Sequence, residues 1–227
     1  MESVYFIAGI DTGIGKTIAT GLMAKSLRAR GVDAITVKLV QTGNDGFSED
    51  IDAHRRICGG ERFYEDELGL THPQVFKFPS SPELAARLEG KTIDLDRIRM
   101  SIDYCRQHHQ VVLVEAAGGL HVPLTRELLT IDFAARAQWP TILVTCGRLG
   151  SINHTLLAVE ALKTRGMKLA GLVYNGHSGA DPLIDRDTPE MTLNFLGQWQ
   201  LEPPLVRIPW LAPDAAYPDI DFSEIFK

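Results

Sequence analysis

Lys16 and Thr17 close the stretch GIDTGIGKT at residues 9–17, while a second lysine, Lys38, and an acid, Glu115, each stand at the end of an apolar run. Those residue types share a chemistry. A glycine-rich loop ending in Gly-Lys-Thr aims backbone N–H groups at an anion at a helix N-terminus; its lysine reaches the outer phosphates and its hydroxyl binds Mg2+. Gly15, Lys16 and Thr17 suit these roles. The usual spacing is Gly-x4-Gly-Lys-Ser/Thr, whereas Gly9 and Gly15 enclose five residues, IDTGI. A dinucleotide loop fits worse, because the glycines fall at 9, 13 and 15 and no acid closes the second apolar run, which continues into VKLVQTG. Hydride transfer is therefore not expected, and binding of a nucleoside triphosphate is.

Magnesium takes hard oxygen ligands, and triphosphate enzymes add to the loop hydroxyl an acid at the end of a buried strand. Glu115, ending VVLVE, is placed for this. A further carboxylate is available in SEDIDA, where Glu49, Asp50 and Asp52 all qualify. Lys38 ends the second predicted strand. Ligands of open α/β sheets bind beyond the carboxyl ends of the strands, so Lys38 should stand near the loop and give two cations around one anion. None of the seven histidines shows metal-ligand spacing.

These residues need elements to hold them. Short apolar runs at 3–8, 34–39, 111–115, 141–145, 169–174 and 205–208 alternate with helical patterns. That rhythm predicts an α/β fold, a mostly parallel central sheet with helices on both faces, in a single domain over 1–227. VVLV and TILVT are apolar without alternation and should be central. Leu95, Ile98, Ile102 and Cys105 form one helical face, capped by Asp94, and Ile152, Leu156, Val159 and Leu162 another. Residues 59–82 follow neither period and read as a long excursion from the sheet. After Leu201 the prolines allow no more than a short strand and turns.

The chain has 227 residues, 44% of them hydrophobic, and a net charge of −6 with no run of Lys or Arg. Neither nucleic acid nor an anionic membrane is an expected partner, because both bind through phosphate neutralisation. Cys58, Cys105 and Cys146 suggest buried thiols rather than disulfides or a zinc site. No run approaches a membrane span and MESVYFIAGID lacks the features of a secretory signal, so a soluble, cytoplasmic protein is expected.

The blocks GIDTGIGKT, KLVQTG, DIDA, FPSSP, VEAAGG, GRLGSINHTLL, LAGLVYN and IPWL, in this order from about residue 3 to about residue 211, resemble the dethiobiotin synthetase family. That family also has five residues between its loop glycines. The resemblance implies a P-loop NTPase type of fold and an ATP- and Mg2+-dependent reaction of 7,8-diaminopelargonate with CO2. It implies that Gly13, Ile14, Gly15, Lys16, Thr17 and Ile18 cradle the phosphates, with Ala116, Ala117 and Gly118 beside them. Thr17, Asp52 and Glu115 would hold Mg2+, and Lys38 would balance charge between carbamate and γ-phosphate. Asn175, Gly176, Pro209, Trp210 and Leu211 would line an adenine pocket. Thr12, Thr42, Gly118 and Gly119 would position the diamine. The helix N-terminus at Gly150, Ser151, Ile152 and Asn153 would receive its carboxylate, in a homodimer whose substrate tail crosses to the partner subunit. His154, in the same block, would support the structure.

Four positions depart from the family pattern: Leu39 where proline is usual, Ala116 where glycine is, Glu83 where histidine is common, and Gly13 where some members carry an acid. Alanine at 116 would restrict any backbone conformation with positive φ. The alternative is a switch ATPase of the MinD and ParA type. Those proteins carry an additional lysine early in the loop, where this chain has Asp11 and Thr12.

Overall fold

A computed structural model describes residues 3–176, 181–212 and 215–227. Its core is one six-stranded, all-parallel sheet in the order β2 (Ala34–Lys38), β5 (Val111–Gly119), β1 (Val4–Gly9), β6 (Thr141–Cys146), β7 (Leu169–Asn175), β8 (Leu205–Ile208). All six predicted strands are present, and VVLV and TILVT are interior. Every residue of β1, β2 and β6 is buried, as a sheet covered on both faces requires.

Side chains alternate across this sheet with period two, and β1 displays both faces. Val4, Phe6 and Ala8 join the core beneath α5 (Leu95–His108), α6 (Thr130–Arg136) and α7 (Ser151–Thr164). Tyr5 and Ile7 join the opposite core, under α1 (Lys16–Ala29), where Leu22 and Met23 are buried. The second core is closed by the C-terminal segment: Phe222, Ile225 and Phe226 are buried, and Phe226 meets Tyr5 edge-on at 5.0 Å between ring centres. A sequence reading of turns there misses this, because three aromatic or aliphatic anchors need no regular period. Asp94 caps α5 by accepting from the Arg97 N–H at 2.9 Å. On α7 the inward face is Ser151, Thr155, Ala158, Val159 and Leu162, so Ile152 is only partly buried. A final helix, α8 (Pro182–Gln198), packs against α7.

The excursion is ordered. β3 (Gln41–Thr42) pairs in parallel with β4 (Val75–Phe76), flanked by α2 (Glu49–Ile57), α3 (Tyr64–Glu67) and α4 (Pro82–Leu88). Its anchor is a buried ion pair. The Arg55 guanidinium donates from Nε and Nη2 to the two oxygens of Asp66, both at 2.8 Å, and Asp66 also accepts from the Thr71 hydroxyl at 2.6 Å and the Phe63 N–H at 2.8 Å. Polar side chains at 55, 66 and 71 stand where an apolar period would otherwise have announced a core. Cys105 and Cys146 are buried and Cys58 partly so, all as free thiols. Among the described residues no helix is long and apolar enough to cross a membrane.

Burial would raise the Asp66 carboxyl, but the Arg55 hydrogen bonds and charge outweigh it and hold the group below its ordinary value of 3.8. A carboxylate depressed in the folded state stabilises above its unfolded pKa and loses that contribution as pH falls through the folded one. Asp66→Asn should therefore destabilise the protein by about 3–5 kcal/mol at neutral pH, because Arg55 is left buried and unpaired. Urea unfolding should show the gap to the unaltered protein shrinking as pH falls from about 5 toward about 3. A gap below about 1 kcal/mol, or one that widens in acid, contradicts this role.

Candidate active site

The phosphate loop leaves the carboxyl end of β1, the strand at which the sheet order reverses, so it stands at the usual ligand crevice of an open α/β sheet. Gly15 adopts φ 88° just before α1, and a Cβ there would fall 1.8 Å from Asn175 Nδ2. Only glycine fits, on both conformational and steric grounds. Asn175, at the end of β7, in turn donates to the Ile14 carbonyl at 2.9 Å, which ties the loop to a strand two places along the sheet from β1. Lys16 donates to the Asp11 carbonyl at 2.8 Å. Asp11 also pairs with Arg148 from the β6–α7 connection. Burial, and then the nearby charge of Lys38, bring the Lys16 ammonium down to about 8.

Four side chains from four elements meet beside this loop. Glu115 is only 1% exposed, and its Oε1 lies 2.8 Å from Lys38 Nζ and 3.1 Å from the Thr17 hydroxyl. Thr17 Oγ1 is also 3.0 Å from Asp50 Oδ1, and Asp50 Oδ2 is 2.5 Å from Lys38 Nζ. Lys38 adds a bond to the Ala116 carbonyl at 3.2 Å, so its three protons have three acceptors. Burial would favour a neutral Glu115, but the Lys38 charge and then the His54 hydrogen bond hold the carboxyl far below the carboxylate range. For Lys38 burial works against the charge, while Glu115 and Asp50 outweigh it and raise the ammonium.

The sequence leaves the acid near position 50 open, and the structure separates the candidates. Asp52, the residue the resemblance picks out for the metal, points elsewhere and pairs with Arg62 at 2.9 Å, a partly exposed pair. Asp50 is the carboxylate brought to Thr17 and Lys38. On a helix two residues are about 200° apart, so α2 cannot aim both inward. The same periodicity turns His54, four residues after Asp50, into the site, where its Nε2 lies 2.8 Å from Glu115 Oε2. Sequence reasoning missed His54, although the i, i+4 relation to Asp50 was a usable signal.

Two carboxylates and a hydroxyl converge here. Among the described residues no group of three His, Cys, Asp or Glu side chains is disposed to hold a metal, but Mg2+ in a triphosphate site asks less of the protein. A hydroxyl and one or two carboxylates suffice when phosphate and water complete the shell. Thr17, Asp50 and Glu115 fit that demand.

A cavity of about 800 Å3 opens over the cluster, lined by Thr12, Gly13, Gly15, Lys16, Thr17, Lys38, Thr42, Asp50, Glu115, Ala117 and Gly118, and walled by Pro79–Pro82 and His121–Pro123. Gly119 ends β5 opposite Gly9 and does not line it. Ile18 faces the core under α1. Gly150, Ser151, Ile152 and Asn153 also lie outside this lining; Gly150 begins α7 with φ 92°. Asn175 stands opposite Ile208 in the sheet and Gly176 meets the segment that follows: a Cβ on Gly176 would be 2.4 Å from the Trp210 N, and the Gly176 N–H donates to the Ile208 carbonyl at 2.7 Å. Pro209 and Trp210 are exposed and Leu211 is partly buried. His154 is exposed on α7.

Residues 3–213 match the family described as an AAA domain. The ATP-dependent dethiobiotin synthetase BioD 2 of Pasteurella multocida is 44% identical over 88% of this chain and 93% of its own length. The chain belongs to the dethiobiotin synthetase family. The corresponding protein of Chlorobaculum tepidum is 47% identical over 83% of this chain and 79% of its own. Among solved structures, pNOB8 ParA bound to nonspecific DNA superposes with a TM-score of 0.56 at 15% identity, covering 94% of this chain and 82% of that one. That likeness establishes the P-loop NTPase fold and nothing more.

The departures from the dethiobiotin synthetase pattern have local explanations. Ala116 is fully buried without positive φ; the left-handed turn falls two residues later, at Gly118 with φ 69°. β5 thus runs on through Glu115 to Gly119 instead of ending at the acid. Leu39 donates its N–H to the Glu115 carbonyl at 2.9 Å, a bond proline could not make. Glu83 pairs with Arg87 at 3.3 Å and Arg126 at 3.2 Å, holding α4 against the cavity wall. Gly13 is exposed with φ 71°, where an acidic side chain would be strained.

Asp50→Asn should raise the Mg2+ concentration needed for nucleotide binding by roughly tenfold or more, and Asp52→Asn should leave it nearly unchanged. Titration of Mg2+ against binding of a non-hydrolysable ATP analogue measures both. The reverse ranking would move the site two residues along α2.

Proposed function

We propose that the protein catalyses the ATP-dependent carboxylation and ring closure of 7,8-diaminopelargonate to dethiobiotin, releasing ADP and phosphate. The observation that carries the reading is Lys38 Nζ, buried between Asp50 and Glu115 beside the Gly-Lys-Thr loop, on the lining of a cavity of about 800 Å3. Family membership points to the same reaction.

The N7 amine adds to CO2 and loses a proton, giving a carbamate. A carbamate oxygen then attacks the γ-phosphorus and ADP departs, leaving a carbamic-phosphoric anhydride. N8 attacks the carbonyl carbon and loses a proton, phosphate leaves, and the cyclic urea is complete. Two anions must approach each other in the second step, so cations fixed in advance are the main source of stabilisation. Lys16 serves the β- and γ-phosphates, and Lys38 the gap between carbamate and γ-phosphate. Thr17, Asp50 and Glu115 would hold Mg2+, which when bound would add to the neutralisation of the phosphate charge. The loop N–H groups from Gly13 to Thr17 cradle the phosphates at the start of α1. Asn175, Gly176 and the 209–211 segment flank the adenine, while Thr12, Thr42 and Gly118 orient the diamine. The carboxylate tail is received at the start of α7 in a second copy of the chain. Two features support that last assignment: residues 150–153 do not reach the cavity of their own chain, and Leu149 beside them is 84% exposed.

A switch ATPase of the ParA and MinD type is not favoured. The synthetases above 40% identity cover most of the chain, whereas the ParA likeness lies at 15%.

Lys16→Ala should lower turnover by two to three orders of magnitude, about 3–4 kcal/mol of lost charge stabilisation, with the fold intact. Lys38→Arg should be crippled as well, since a planar guanidinium does not fit a three-acceptor ammonium site. The experiment that tests the reaction itself follows phosphate release as components are added in turn. ATP alone, or ATP with the diamine in bicarbonate-depleted buffer, should give only background hydrolysis. Adding bicarbonate should release close to one phosphate per dethiobiotin. Hydrolysis indifferent to both compounds, with no dethiobiotin formed, contradicts the proposal.

A further inference from the structure

His54 is fully buried and has no part in the reaction steps above, yet it contacts the carboxylate on which the site is built. Its Nε2 lies 2.8 Å from Glu115 Oε2, and its Nδ1 lies 3.0 Å from the Thr36 hydroxyl. Thr36 Oγ1 also accepts from Arg55 Nη1 at 2.8 Å, and Arg55 is locked by both oxygens of Asp66.

The chemistry of these groups gives the chain a direction. An ionised carboxylate only accepts, so Nε2 must carry the hydrogen facing Glu115. In the neutral ring Nδ1 then accepts, and the Thr36 hydroxyl donates to it. That hydroxyl can do so because its oxygen is occupied by Arg55, which only donates. The run Arg55 to Thr36 to His54 to Glu115 is thus a single-file series of donors ending on Oε2. The other oxygen, Oε1, faces Lys38 and Thr17.

We propose that His54 is a positioning residue. Its Nε2–H, oriented by Thr36 and Arg55, pins Oε2 of Glu115 and so presents Oε1 to Thr17, Lys38 and the divalent cation. The inference rests on Glu115 being a cation ligand, as proposed above. Groups that orient metal ligands typically matter by 10–100-fold in affinity, which is the size of effect expected here. α2 therefore delivers two parts of the site from one face, Asp50 to the cation and His54 to the opposite side of Glu115. The buried Arg55–Asp66 pair doubles as the anchor of the excursion and the origin of the series.

Two measurements decide the matter. The first uses the unaltered full-length protein labelled with 15N-histidine, with His54→Gln to assign the His54 ring. The ring should be the Nε2–H tautomer with an exchange-protected proton; Nδ1–H with a bare Nε2 overturns the proposal. The second compares binding of a non-hydrolysable ATP analogue with and without Mg2+ in His54→Leu and His54→Gln. The leucine variant should lose the Mg2+-dependent gain in affinity by about 10–100-fold while metal-free nucleotide affinity changes less than about twofold. The glutamine variant, which keeps a side-chain N–H donor, should recover to within a few-fold. An unchanged Mg2+ dependence in a folded leucine variant, or equal losses with and without metal, overturns the proposal. Should His54→Leu fail to fold, Thr36→Val takes its place with the same expectations in weaker form, and the tautomer stands as a test by itself. Neither measurement involves the diamine. A protein that makes no dethiobiotin yet meets both expectations would remove the proposed reaction and leave the role of His54 intact.

Discussion

The structure depends on keeping one carboxylate charged where almost none of its surface meets water. Moving an ionised carboxylate into a protein interior carries a penalty of several kcal/mol after relaxation, and an unpaired one would take up a proton instead. Glu115 avoids this because Lys38 and His54 hold it from opposite sides. Those partners arrive from β2 and α2, while Glu115 itself lies on β5. The charge is thus tolerable only when the sheet register and the docking of α2 are both correct. In return, a fixed negative site and two buried ammonium groups, Lys16 and Lys38, are preorganised beside the phosphate loop, where low dielectric strengthens what they do to an incoming anion.

The surrounding scaffold serves this arrangement. β2 pairs with β5 in a register that sets Lys38 directly opposite Glu115. α2 is started by Ser48, whose hydroxyl accepts from the Ile51 N–H at 3.2 Å while donating to Gln41 at 2.6 Å, so the helix is fastened to β3 at its first turn. It lies close against α1, and a Cβ on Gly21 would fall 2.4 Å from Ile57 Cδ1. That close approach brings Thr17, at the start of α1, within reach of Asp50 near the start of α2. The excursion between α2 and α5 closes over Arg55, and its far end returns as the Pro79–Pro82 wall of the cavity.

Much of this was readable in the residues. Parallel strands buried on both faces announce themselves as apolar runs, which is why β1, β5 and β6 and the loop after β1 could be placed. Lys16, Thr17, Lys38 and Glu115 follow from those strand ends and from the chemistry of phosphate. What stayed hidden is polar and tertiary. Asp50 and Asp52 are two residues apart in a run of acids, and only the orientation of α2 on α1 decides between them. Asp66 and Thr71 belong to a buried ion-pair network that has no hydrophobic period. Phe222, Ile225 and Phe226 close a core from a segment whose prolines suggest only turns, because packing against Tyr5 needs neither helix nor strand. The start of α7 lies away from the cavity of its own chain, a separation that neither composition nor period announces.

The central claim is that Thr17, Asp50 and Glu115 form the cation side of a triphosphate site with Lys38 between the carboxylates. Anomalous diffraction from crystals grown with Mn2+ and a non-hydrolysable ATP analogue tests it most directly. The account predicts one strong anomalous peak within coordination distance of the Thr17 hydroxyl and of oxygens from Asp50 or Glu115, adjoining the β- and γ-phosphates, with Lys38 still beside the γ-phosphate. A peak on Asp52, or a nucleotide seated away from the loop at residues 9–17, would contradict it.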